Sequence, residues 1–193
     1  ILCPLLPGQM VSNQDQAVSH ILSAIELARN KGVKLVGLGG FTSIIGNNGL
    51  QVSERSPIPV TSGNTYTAVV LLKSISLAAK RLDLDLRKSD IAVIGATGDI
   101  GSACARKLAL SCKSLILVAR NEDKLFSLAR ELRSQCPVEI SKKPAQAACK
   151  AHIVITVTSA ITTIIDAQSL KAGSIVCDAS YPANIAYEIH GKR

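Results

Sequence analysis

Between Ser89 and Ser180, short apolar runs alternate with stretches of helical periodicity. "IAVIG" (91–95), "SLILVA" (114–119), "VEI" (138–140), "HIVITVTSA" (152–160) and "GSIVCDAS" (173–180) read as strands, and 98–112, 121–135 and 144–150 read as helices. The 121–135 stretch carries its own punctuation. Asn121 is its cap, Glu122 and Asp123 lie in its first turn, and Arg130 and Arg133 stand near its end, as a helix dipole favours. Near-continuous apolar strands cannot leave one face in water, and strands separated by helices must return in parallel. The expected fold is α/β, a doubly wound parallel sheet covered by helices on both faces.

The first of these strands runs into "GATGDIG". Gly95, Gly98 and Gly101 sit at three-residue spacing between strand and helix, the context in which a glycine motif signals dinucleotide binding. Gly95 allows the tight turn and Gly98 the approach of a pyrophosphate to the helix N-terminus, where N–H groups and the positive dipole end favour an anion. Gly101 permits close helix–strand packing. Thr97, Asp99 and Ile100, between these glycines, complete the expected loop. The domain is thus expected to be an NAD(P)-binding Rossmann domain.

The second strand ends in "LVARNEDKL". NAD selection calls for an acidic residue near the end of this strand, on the ribose 2′-OH; Arg120 stands there, followed by Asn121. A guanidinium binds phosphate in bidentate fashion, so Arg120 points to the 2′-phosphate of NADPH. Ligands of this fold lie beyond the carboxyl ends of the strands. There, Thr158, Ser159 and Tyr181 are candidates to flank the nicotinamide with hydroxyls, or else are turn residues.

Upstream, "SNQDQAVSHILSAIELARNKG" (12–32) predicts an amphipathic helix with a Ser12–Asp15 capping box and a stop at Gly32. "VKLVGLGG" (33–40) reads as a buried strand entering a glycine turn, and 46–63 as a loop rich in Ser, Pro and Gly. "NTYTAVVLLKSISLAAKRL" (64–82) reads as a helix apolar on most sides and therefore buried. A hinge at "DLDLRKSD" (83–90) suggests two parts: a smaller α/β segment over 1–85 and the nucleotide-binding domain over 86–193.

Composition closes off several alternatives. With 47% hydrophobic and 19% charged residues the chain is globular rather than disordered. The uncharged stretch 153–165 is too short and Thr-rich to span a bilayer, and nothing at the start has the basic n-region and apolar h-region of a signal peptide, so a cytoplasmic protein is expected. With Ile1 in place of Met, a processed chain or a piece of a longer one is expected. The six cysteines show neither CxxC nor histidine pairing at ligand spacing, which predicts buried thiols and no metal. A net charge of +8 with only 3% aromatic residues offers few stacking platforms for nucleic acid. Such a surface suits acidic small-molecule or protein partners: nucleotide phosphates, coenzyme A or an acyl carrier protein.

Three segments go beyond the generic pattern: "GLGGFTSIIGNNG" (37–49), "TSGNTYTA" (61–68) and "GATGDIGSACARKL" (95–108). In that order, followed by "LILVARNEDKL" and "DASYPAN", they resemble the long-chain acyl-(acyl-carrier-protein) reductases, from about "LLPGQM" to "SYPAN". The resemblance implies NADPH-dependent reduction of a long-chain acyl thioester, on acyl carrier protein or coenzyme A, to a fatty aldehyde. It also implies a cysteine nucleophile lying some distance after the "YPAN" segment, so none of the six cysteines takes that role by motif and no catalytic residue is assigned. Cys177 has no adjoining His or Lys and reads as a sheet cysteine. The family's implied extent makes this chain a central portion. For Gly39, Gly40 and Thr42 the readings are an acyl or nicotinamide pocket, or a plain strand-to-loop turn. For Asn64 and Thr65 they are a substrate-side cleft, or a helix cap.

Two other classes compete. A shikimate-dehydrogenase-like or glutamyl-tRNA-reductase-like oxidoreductase also starts a helix with Asn-Thr before its nucleotide domain. Shikimate dehydrogenases read Asn-Thr-Asp there, and the aspartate works in proton transfer; here Tyr66 follows, and the carboxylate is missing. The other class is a non-catalytic NADPH-binding module that reports redox state to a partner.

Overall fold

The computed structural model describes residues 1–180 and 182–186. The chain divides into two compact units, 1–63 and 64–193. The sequence suggested a boundary after residue 85 instead; the structural division falls earlier because the helix at 64–81 packs into the core of the second unit.

In the first unit, α1 (Pro7–Ser12) and α2 (Gln14–Asn30) are followed by β1 (Val36–Gly37), α3 (Ile45–Asn48), α4 (Leu50–Arg55) and β2 (Val60–Thr61). α2 buries Ala17, Val18, Ile21, Ile25 and Ala28 along one face, packed with Phe41, Ile45 and Val52. Its cap is Asn13 rather than Ser12: the Gln16 N–H donates to Asn13 Oδ1 at 3.1 Å, and Ser12 Oγ bonds back to Gln9 O. The run 33–40 is no buried strand. Only Val36–Gly37 pair, parallel to Val60–Thr61, and Leu35 is 57% exposed. Nor is 46–63 an unbroken loop. Asn47, Asn48 and Gly49 take positive φ, which ends one helical turn and lets α4 begin.

The second unit is a five-stranded, all-parallel sheet in the order β5-β4-β3-β6-β8. Its strands are β3 (Asp90–Ile94), β4 (Ser114–Val118), β5 (Val138–Ser141), β6 (Ile153–Thr156) and β8 (Ile175–Asp178). Helices α5 (Asn64–Arg81), α6 (Asp99–Ala109), α7 (Glu122–Leu132) and α8 (Pro144–Lys150) connect or cover them. A short parallel pair, β7 (Ile165–Asp166) with β9 (Ile185–Ala186), lies outside the main sheet. Alternate residues of β3 serve opposite faces. Ile91 and Val93 pack with α5, α6 and α7, while Ala92 and Ile94 pack with α8, Ile165 and Ile185. This is the doubly wound Rossmann architecture the apolar strands imply. α5 is apolar on most sides, as expected, but is not buried on all of them: Ala68, Leu71, Ile75 and Ala79 are buried, while Tyr66, Val69, Val70 and Leu77 are exposed. No helix of the described residues is long and apolar enough to cross a membrane.

Candidate nucleotide site

The chain leaves β3 toward β4 and β5 on one side and returns through β6 and β8 on the other, so the order reverses between β3 and β6. A crevice opens at such a switch point because the two connections depart in opposite directions. Here it is a cleft of about 660 Å³ over the carboxyl ends of the strands. Its walls come from the turn after β3 (Gly95, Thr97, Gly98), the end of β4 (Ala119, Arg120, Asn121) and the loop after β6 (Val157, Thr158, Ser159, Ala160).

The three glycines are distinguishable by what a methyl group would meet. Gly95 has φ +90°, and a Cβ there would lie 2.4 Å from the Val157 carbonyl oxygen. A Cβ on Gly101 would lie 2.2 Å from the Gly95 carbonyl oxygen. Both are demanded by the protein's own backbone. Gly98 is not: its φ of −77° suits any residue, and its Cβ would meet only Gly95 O at 3.4 Å. It faces the cleft at the N-cap of α6, which no side chain caps. A small residue that its own fold does not require, beside first-turn amides without helical acceptors, fits a close-approaching anion.

Arg120 is exposed at the cleft wall and makes no ion pair among the described residues. Asn121 also lines the cleft, but its Oδ1 accepts the Lys124 N–H at 2.9 Å and caps α7. Asp99, Ile100 and Gly101 do not line the cleft. Asp99 Oδ2 instead accepts from Asn64 Nδ2 at 3.0 Å, joining the starts of α5 and α6. Thr65, next to Asn64, is exposed. Gly39, Gly40 and Thr42 belong to the first unit, where Gly40 has φ +56° and Thr42 Oγ1 donates to Gly39 O at 2.8 Å. Tyr181 lies outside the described residues.

For Thr158 the geometry favours the turn. Its Oγ1 donates to Asn184 Oδ1 and accepts from the Ala160 N–H, and its own N–H donates to Ser180 Oγ. Asn184 is fully buried, and its Nδ2 reaches the carbonyls of Ala160 (3.1 Å), Thr162 (3.3 Å) and Pro182 (3.4 Å). Asp178 holds the other side, accepting from Thr156 Oγ1 (2.6 Å) and from the N–H groups of Ser180, Asn184 and Ile185. These two side chains build the β6-side wall, while Ser159 stays exposed on it. Sequence reasoning assigned neither to the site, nor Lys124, Lys142 and Pro144, which line the opposite side with Glu122, read there only as a first-turn acid of its helix. Burial raises the thiols of Cys104 (to about 11), Cys112 (to about 12), Cys136 and Cys177, the last also through the Asp178 charge, so none of these four is poised as a thiolate.

Fold and cleft together define a doubly wound Rossmann domain with a glycine turn at its switch point. Residues 76–192 match the Shikimate / quinate 5-dehydrogenase family, and the chain belongs to that family. It is also 36% identical over 187 residues to the long-chain acyl-[acyl-carrier-protein] reductase of Synechococcus elongatus, covering 91% of this chain and 53% of that protein. It is 33% identical over 187 residues to the aminotransferase PigE of a Serratia species, covering 94% of this chain and 22% of that one. The chain therefore spans about half the length of one curated relative and about a fifth of the other. Among solved structures, Δ1-pyrroline-2-carboxylate reductase of Thermococcus litoralis, in complex with NADH and L-proline, superposes with a TM-score of 0.52. That match covers 61% of this chain and 37% of the other at 17% identity, a likeness of fold.

Proposed function

We propose that the cleft binds NADPH, and that the chain is the nucleotide-binding portion of a reductase that converts a long-chain acyl thioester, on acyl carrier protein or coenzyme A, to a fatty aldehyde. The observation that carries the reading is the reach of the acyl-carrier-protein reductase similarity. Covering 91% of the chain, it extends well upstream of residue 76, into the region of the 37–49 and 61–68 motifs. The family match at 76–192 begins after Asn64-Thr65-Tyr66, and Tyr66 in place of a carboxylate disfavours the shikimate reaction.

In this reading Gly98 and the start of α6 receive the pyrophosphate, Arg120 takes the 2′-phosphate, and the 157–160 loop, held by Asn184, bounds the nicotinamide end. NADPH supplies the hydride when bound. The loop's role is to exclude water and fix the ring's position, since its hydroxyl and amide groups are already engaged with one another. Gly39, Gly40, Thr42, Asn64 and Thr65 remain the substrate-side candidates by resemblance, and the positive surface suits an acidic carrier.

The test is fluorescence titration of the 193-residue chain with NADPH and NADH. Arg120→Ala should weaken NADPH by about tenfold or more and leave NADH little changed. Oxidation of NADPH by the complete protein in the presence of long-chain acyl-CoA would support the thioester part. Binding without turnover of any acyl thioester would favour the redox-reporting module.

A further inference from the structure

The adenosine end of the cleft contains a carboxylate that the position of Arg120 alone does not reveal. Glu122 opens α7, two residues beyond Arg120, and lines the cleft. A carboxylate there is the group that would accept the ribose 2′-OH of NADH and repel the 2′-phosphate of NADPH. Taken alone, Glu122 opposes Arg120.

It is not alone. Lys142 Nζ lies 2.7 Å from Glu122 Oε1. The sheet register places the lysine there: Val118 of β4 stands opposite Ser141 of β5, so the next residue, Lys142, is level with Ala119, one residue before Arg120. Ser141 fixes the turn that follows, its Oγ accepting the Lys143 N–H at 3.1 Å. Both partners of the ion pair are exposed, at 69% and 53%, so it adds little to the fold. Its position on the cleft wall gives it a different consequence.

We infer that Lys142 is a specificity-determining residue that sets NADPH over NADH by neutralising Glu122. With Lys142 in place one carboxylate oxygen is engaged and its charge is offset beside the incoming phosphate. The wall then carries Arg120 and Lys124 as a net positive pair. Without Lys142, Glu122 is released, to the advantage of NADH and the detriment of NADPH. This rests on the cleft being the nucleotide site.

The experiment is a double-mutant cycle on the 193-residue chain: wild type, Lys142→Met, Glu122→Gln and the double variant, each titrated with NADPH and with NADH. Lys142→Met should weaken NADPH about tenfold and strengthen NADH severalfold. Glu122→Gln should not weaken NADPH. In the Glu122→Gln background the loss caused by Lys142→Met should shrink to about twofold or threefold, because the charge it exposes is gone. An exposed ion pair of purely structural use would move the melting temperature without moving the NADPH/NADH ratio, and that overturns the inference alone. Equal losses in both backgrounds also overturn it, because Lys142 would then act as a simple phosphate contact. If the wild-type chain binds neither nucleotide, the cofactor reading falls, and this inference falls with it.

Discussion

The two ends of the five-stranded sheet are built from similar material and put it to opposite uses. At the amino ends, a hollow of about 420 Å³ is lined by Asp90, Ser114, Glu139 and Lys150 among others. Its charges already have partners: Asp90 accepts from Ser114 Oγ at 2.7 Å and Lys113 Nζ at 3.2 Å, and Lys150 reaches Glu139 at 2.6 Å. At the carboxyl ends the larger cleft keeps Arg120 without an ion pair among the described residues, an uncapped helix start, and a glycine its own backbone does not demand. Both ends are hollow and polar, so neither property marks a site. The difference lies in which groups are already answered by the fold.

Substituting the three glycines separates what the backbone demands from what a ligand demands. Gly95→Ala and Gly101→Ala each drive a methyl group into a backbone oxygen, and at Gly95 the positive φ adds strain. Each should cost about 3 kcal/mol or more, read as a lower urea midpoint. Gly98→Ala has no such obstacle and should change stability by less than about 0.5 kcal/mol while weakening nucleotide binding at least tenfold. If Gly98→Ala instead destabilised the chain like its neighbours and bound NADPH normally, the loop would be a turn and nothing more.

Asn184 carries the next largest effect. Asn184→Asp keeps shape and acceptor but loses the Nδ2 donors to three carbonyls, and brings a charge into a fully buried position. A loss of about 2–3 kcal/mol is expected, with weaker NADPH binding as the 157–160 loop loosens. Unchanged stability would mean that the wall of the cleft is held by Asp178 alone.

These contrasts also explain what was legible in the sequence. The fold was readable because β3, β4 and β6 are apolar on both faces and the Gly95–Gly101 turn has only local requirements. The smaller unit was less so: "VKLVGLGG" looks like a core strand, yet it pairs over two residues, and the asparagines at 47 and 48 start a helix by taking positive φ. α5 reads as buried from its apolar sides, yet Val69, Val70 and Leu77 stay exposed, because composition does not say which neighbours a face will find. At the site, the groups missed were those placed by register or by long-range bonding. Lys142 reaches Glu122 only because β5 aligns with β4, and Asn184 meets Thr158 across 26 residues. The "DASYPAN" segment enters the resemblance as a string and does not single out Asn184; its part in the wall follows from the three carbonyls its amide holds.

At the amino ends of the strands the partnered charges give the fold a pH dependence of their own. Burial alone would raise the Asp90 carboxyl, but hydrogen bonds from Ser114 and Lys113 and the charges of Lys113 and His152 outweigh it and hold the group below its ordinary 3.8. A carboxylate with a lowered folded-state pKa stabilises the fold above its unfolded-state value, and that contribution disappears as pH falls through the folded one. The urea midpoint of the wild-type chain should therefore drop between about pH 5 and about pH 3 more steeply than that of Asp90→Asn. NADPH affinity at neutral pH should be the same for both, since this network lies at the opposite end of the sheet from the cleft. A change in affinity with Asp90→Asn would show that the two ends communicate through β3, and that the closed end is more than a foundation for the open one.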